Sequence, residues 1–190
     1  MGKRQAAAEP LFEFDRRARE AFRPWRKHPL VRALGVFGQA GDQPQLRLLC
    51  AGVMAAGLAR GDGRLALAGV RMLLAHEAAT AAKSAVKHSV DRVRPRSDSP
   101  AKDDKPRRGG RREKELSSFP SGHSAGALAV ALAFGAEYPR HRPAALAVAG
   151  AIGAVQVPTG AHYPSDVAAG WTVGALAAGA IGLLWPGRSA

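Results

Sequence analysis

Five stretches of the chain are runs of apolar residues, and charged segments separate most of them. The last, Val167 to Trp185, has no charge in 19 residues. As a helix it spans about 28 Å at ~1.5 Å per residue, close to the ~30 Å of bilayer hydrocarbon. Pro143 to Val157 is also uncharged and is rich in Ala, Val, Gly and Ile. Ser124 to Ala136 continues backwards through Gly122 and stops at Glu137. Leu48 to Ala59 reaches span length once Gln43 to Arg47 dips into the interface. Leu65 to Val90 is one tilted span that carries Arg71, His76, Glu77, Lys83 and Lys87. Intramembrane charge that faces a bundle interior marks a working site.

This pattern predicts an all-α fold, an integral membrane bundle of about five spans at 43–59, 65–90, 122–137, 143–158 and 166–185. A soluble bundle of Ala-rich helices is the competing reading. It is disfavoured because helices apolar round most of their circumference leave little wetted surface. Ahead of the spans, Leu11 to Phe37 interleaves Phe12, Phe14, Phe22, Trp25, Leu30, Val31 and Leu34 with Arg and Lys. That predicts an amphipathic helix in the headgroup layer. Ser97 to Glu115 is rich in Pro, Gly and both signs of charge, which predicts a flexible loop at 97–118. The chain divides into a basic arm, 1–42, and a membrane-embedded domain, 43–190. Met1 to Pro10 shows no signal-peptide pattern, since no apolar core follows its charges.

Composition changes this picture in two ways. The mean hydropathy of −0.14 averages two unlike polymers and conceals the apolar runs. The net charge is +13, and the first 47 residues and Arg92 to Ser118 each hold 10 Lys+Arg against 5 Asp+Glu. Nucleic acid, anionic lipid headgroups and phosphate-bearing substrates all suit such a balance. Nucleic acid is not expected, because no binding motif appears and apolar helices have no purpose there. The single cysteine, Cys50, excludes a disulfide framework and reads as helix packing.

Three motifs carry candidate chemistry. Lys87 and Arg94 lie seven apart, two helical turns, and Pro95 stops the helix, so two cations can seat a phosphate at its end. Pro120, Ser121, Gly122 and His123 precede an apolar helix and aim backbone N–H groups, a hydroxyl and an imidazole at its N-terminus. His123 can protonate a leaving group there. His162 and Asp166 again precede an apolar helix, and a carboxylate four residues on can hold the ring through Nδ1–H and activate Nε2. A metal site would have to recruit His88 or His123 and lacks close ligand pairs, so no metal and no cofactor is expected.

Lys-x6-Arg-Pro, Pro-Ser-Gly-His and His-x3-Asp, in this order between hydrophobic helices, resemble the signatures of the type 2 phosphatidic acid phosphatase superfamily. Vanadium haloperoxidases share that site. The resemblance covers about Gln43 to Trp185. It implies metal-independent hydrolysis of a phosphomonoester or diphosphate through a phosphohistidine. On that footing His162 attacks phosphorus, Asp166 orients His162, and His123 protonates the leaving oxygen. Lys87, Arg94, Ser121 and Gly122 hold the phosphoryl oxygens. One position departs from the pattern: the third signature has an arginine six residues before its histidine, where this chain has Gln156. Gln156 can donate a hydrogen bond without charge, a deficit of ~1–2 kcal/mol or roughly ten- to thirtyfold in rate. Lys83, one turn before Lys87, or a loop arginine can supply the missing charge. An inactive member that binds lipid phosphate is the alternative.

Five spans put all three motifs on one face, with the arm. That face then carries 20 Lys+Arg against Arg60, Arg64, Arg140, Arg142 and Arg188 opposite. The positive-inside rule makes it cytoplasmic, whereas bacterial relatives that recycle lipid carriers face outward. A phosphate site at the mouth of an apolar bundle suits a lipid-borne phosphate: phosphatidic acid, phosphatidylglycerol phosphate, or a polyprenyl phosphate, diphosphate or phosphosugar. The basic arm suits anionic headgroups. The expected place is a bacterial inner membrane.

Overall fold

The structure, a computed structural model, describes residues 2–97, 105–109 and 116–185. Its helices are α1 (Gly2–Phe22), α2 (Pro29–Gly38), α3 (Gln43–Ala59), α4 (Gly63–Lys87), α5 (Gly122–Glu137), α6 (Arg142–Ala154) and α7 (Pro164–Leu184). Helices α3 and α5 coincide with the predicted spans. Asp62 starts α4 by accepting from the Leu65 N–H, and Gly61 makes the preceding turn at φ +64°. Most of the expected polar loop lies outside the described residues. Its described part is not irregular: Arg107–Arg108 (β2) pairs antiparallel with Val90–Asp91 (β1), a short ribbon that the all-α expectation did not include.

Helix α5 is the centre of the bundle, packed by α4, α6 and α7. Small residues permit this. A Cβ on Gly170 of α7 would lie 2.5 Å from the Ser121 carbonyl oxygen, and one on Gly174 would strike the Ala125 carbonyl. Such backbone contact is the usual means of tight helix pairing where side chains give little driving force. Cys50 is fully buried, with Met72, Ala75, Ala129, Val130 and Ala177 in the same core. At the α5 C-terminus Arg71 and Glu137 form a buried ion pair of 2.8 Å. Arg71 and His76 are thus inside the bundle, as the charged stretch required.

The outer faces are apolar: Leu183 is 88% and Leu184 83% exposed, and Leu48, Leu58 and Leu176 are also open. By length and composition α4 and α7 can cross a membrane. At 17, 16 and 13 residues, α3, α5 and α6 are shorter than the ~20 of a full span. The N-terminal region is two helices rather than one. It breaks at Arg23–Trp25, where Pro24 intervenes, and α2 is capped by the His28 side chain. Nor does α1 present only an outer face, because its Asp15 is 0% exposed.

Candidate active site

The three motifs meet at one end of the bundle. Lys87 closes α4, His123 sits in the first turn of α5, and His162 precedes α7. Backbone bonds join their segments. Arg92 N–H donates to Leu116 O and Ser118 N–H to Arg92 O, which pairs the first motif with the stretch before the second. Ser121 N–H donates to Asp166 O, and Arg96 N–H donates to Gly160 O, which brings in the third. Together they surround a cavity of about 560 Å³ that Lys87, Arg94, Gly122, His123, Gln156 and His162 all line. The two imidazole centroids are 6.1 Å apart.

His162 is 1% exposed, and its Nδ1 lies 2.7 Å from the Ser118 carbonyl oxygen. A carbonyl only accepts, so the proton is on Nδ1 and Nε2 keeps its lone pair. Burial pushes the ring down to about 4, against the opposing pull of Asp166. It is therefore neutral at ordinary pH. The direct bond expected from Asp166 is not made, since its Oδ2 stands 3.8 Å from Nδ1. Asp166 instead accepts from the Ser118 hydroxyl at 2.5 Å and the Tyr163 N–H at 2.9 Å, so it holds the segments on either side of the ring.

Behind the histidine lies a group that the sequence did not reveal. Arg92 is 1% exposed and donates to Asp166 Oδ1 at 2.5 Å, Ser165 Oγ at 2.7 Å and Asp15 Oδ2 at 2.7 Å. Its guanidinium lies 4.1 Å from the centroid of the Tyr163 ring. Asp15 also accepts from the Ser165 N–H and hydroxyl. One guanidinium between two carboxylates leaves a net charge of −1, and the Ser118 and Ser165 hydroxyls with the Tyr163 and Ser165 N–H groups supply the remaining donors that a dry interior demands.

The cation side is simpler. Lys87 Nζ donates to Ser117 O at 2.8 Å, and Arg94 donates to Ala161 O at 3.2 Å. Burial, then the neighbouring Arg96 charge, lowers the Arg94 pKa. Lys83 joins them: its Nζ is 3.2 Å from where a Cβ on Gly122 would stand, over the α5 N-terminus. Two expected ligands are turned elsewhere. Ser121 is fully buried, does not line the cavity, and caps α5 by accepting from Ser124. The Gln156 amide donates to Ile152 O of its own helix. His123 has an unforeseen partner, since Asp42 Oδ1 is 2.7 Å from its Nε2. Asp42 stands at the α3 N-cap and makes no side-chain cap bond there. Among the described residues no cluster of three His, Cys, Asp or Glu could hold a metal.

A family model described as the PAP2 superfamily matches residues 68–189. The chain belongs to the PAP2 superfamily. The PAP2 match takes in both histidines, Lys87, Arg94 and Asp166, whereas Asp15 and Asp42 precede it. Among curated relatives, a lipid A 1-phosphatase of Rhizobium johnstonii is 52% identical over 58 residues, 30% of this chain and 24% of that protein. A lipid A 1-phosphatase of Rhizobium etli is 51% identical over 57 residues, 30% of this chain and 25% of that one. The chain thus matches about a quarter of the length of these relatives. A solved PAP2 structure, a transmembrane phosphatidylglycerolphosphate phosphatase from Bacillus subtilis, aligns with a TM-score of 0.68. It is 22% identical and covers 94% of this chain and 89% of its own, a likeness of fold.

Proposed function

We propose that this chain is a membrane-embedded lipid phosphatase that hydrolyses a phosphate monoester or diphosphate through a phosphohistidine. The observation that carries the reading is a neutral, buried His162, with Nε2 free, in a cavity with Lys83, Lys87, Arg94 and His123. His162 Nε2 attacks phosphorus, and the P–O bond to the lipid breaks. The leaving oxygen takes a proton from His123, which Asp42 orients at 2.7 Å while burial and the facing Arg94, Lys87 and Lys83 lower its pKa and make it the readier acid. Water, deprotonated by His123, then cleaves the P–N bond and releases phosphate. Lys83, Lys87 and Arg94 neutralise the oxyanion throughout, with the α5 N-terminus behind Gly122. Asp166 acts on His162 through Ser118 and the Tyr163 backbone.

A bilayer setting is supported by the open leucines of α3 and α7 and by the two span-length helices. In that setting the shorter helices complete five crossings with their polar ends in the interface. A lipid-borne phosphate fits the names of the relatives, one acting on lipid A and one on phosphatidylglycerolphosphate. The second reading, a member that binds without turnover, rests on Gln156, which brings no charge and commits one amide N–H to Ile152 O of α6. The deciding experiment is phosphate release from short-chain phosphatidic acid and a polyprenyl diphosphate by detergent-purified protein in EDTA. Wild type is active and His162→Ala inactive; release by the variant at the wild-type rate removes the nucleophile.

A further inference from the structure

The cavity is larger and more cationic than one phosphoryl group requires. About 560 Å³ is room for a whole polar headgroup. Among the described residues six cations line it, and Asp42, beside His123, is the one carboxylate. Lys83, Lys87 and Arg94 serve the histidines. Arg26, Arg32 and Arg96 have no part in the transfer derived above, and Arg26 and Arg32 precede the stretch that the family model matches.

Local structure gathers them on purpose-built backbone. Ser97 N–H donates to Arg94 O, a turn with Pro95 in its first corner, and the turn carries Arg96 back over Gly160. Gly160 has φ +68°, and a Cβ on it would lie 2.8 Å from Arg26 Nε and 3.1 Å from Arg96 Cβ. Only glycine lets both arginines close on this point, two residues before His162. Arg32, on α2, lines the same cavity, and Gly35 one turn on packs against Thr159 beside Gly160. Guanidinium groups brought together repel unless an anion lies between them, and phosphate matches their fork of donors.

We propose that Arg26, Arg32 and Arg96 form a second anion subsite, which takes a phosphate that is not cleaved beside the one that His162 attacks. The role of His162 rests on the hydrolysis reading; the subsite does not. The second phosphate is either part of the substrate or free orthophosphate, and both present the same oxyanion.

The test titrates orthophosphate into the full chain in detergent by calorimetry, in a His162→Ala/Lys87→Met background that disables the neighbouring site. Expected is binding that weakens about tenfold or more with Arg26→Met and Arg96→Met and returns with Arg96→Lys. Arg32 and Arg96 are exposed and Arg26 half-buried, so Arg32→Met and Arg96→Met carry the test even where Arg26→Met melts. Binding indifferent to all three arginines overturns the subsite. This arm needs no turnover, so failure of the hydrolysis reading shows separately, as wild type that releases no phosphate. Kinetics on the wild-type background then identify the source. A substrate-borne phosphate raises the KM of farnesyl diphosphate about tenfold in the variants and leaves the monophosphate within about twofold. A free phosphate instead weakens orthophosphate inhibition of monophosphate hydrolysis. Equal KM changes for both lipids, with inhibition unaltered, overturn the proposal.

Discussion

The proposed attack by His162 requires a neutral ring, and burial lowers its pKa to about 4. The folded ring titrates at about 4, against about 6.5 for an exposed histidine. Its contribution to kcat/KM should stay level as pH falls through 6 and 5 and be lost only near 4; a limb at the exposed value would mean an open ring. The same depression has a stability consequence. The unfolded ring takes up its proton first, so the folded state loses stability as pH falls from about 6.5 towards 4. Denaturant melts across that window measure it, with His162→Phe reducing the slope and His123, also lowered by burial, keeping part of it. Lys83 is testable by exchange of charge with Gln156. Lys83→Met should lower kcat/KM by about ten- to a hundredfold, and Gln156→Arg in that background should restore most of it. No recovery would mean that an arginine at 156 cannot reach the same oxygens.

At the scale of the elements, the site is held by contacts between helices that local sequence describes unevenly. The limits of α3 and α5 and the convergence of the motifs were legible, because they follow from apolar runs and fixed spacings. The helical face expected to join Lys87 to Arg94 does not form, since α4 ends at Lys87 and Arg94 follows β1, reaching the cavity from a loop. Asp15 and Arg92 were not legible. They pair across 77 residues, and one acidic residue on a charged arm carries no periodic mark of burial. Asp42 is one acidic residue ahead of an apolar run with nothing in the sequence to link it to His123, and the Ser117 and Ser118 carbonyls have no side-chain signature at all. Asp15→Ala leaves Arg92 paired with Asp166 but strips an acceptor from one guanidinium nitrogen and from the Ser165 N–H and hydroxyl, a loss of about 1–3 kcal/mol for unsatisfied buried donors. Chemical denaturation should show it, together with a fall in kcat. Gly170→Ala should push α7 from the α5 backbone at Ser121, part His123 from His162, and cut turnover while the protein still folds. Full activity in that variant would mean that the two helices give way without moving the rings.

The whole molecule combines an apolar girth with a basic face, and the two expectations for how it lies differ: the positive-inside rule predicts a cytoplasmic cavity, the habit of lipid-carrier phosphatases an outward one. On the first, a membrane-impermeant thiol reagent should label Arg60→Cys in intact cells and Lys27→Cys only after permeabilisation; the reverse pattern turns the site outward. The native Cys50 gives no background, being fully buried. The Asp15–Ser165 contact joins positions 150 apart in the chain, nearly its two extremes. During synthesis Asp15 is made 150 residues before Ser165 and waits for α7 before that partner exists. A nascent chain that has not reached α7 therefore leaves Arg92 without Asp166 and cannot assemble the centre proposed above.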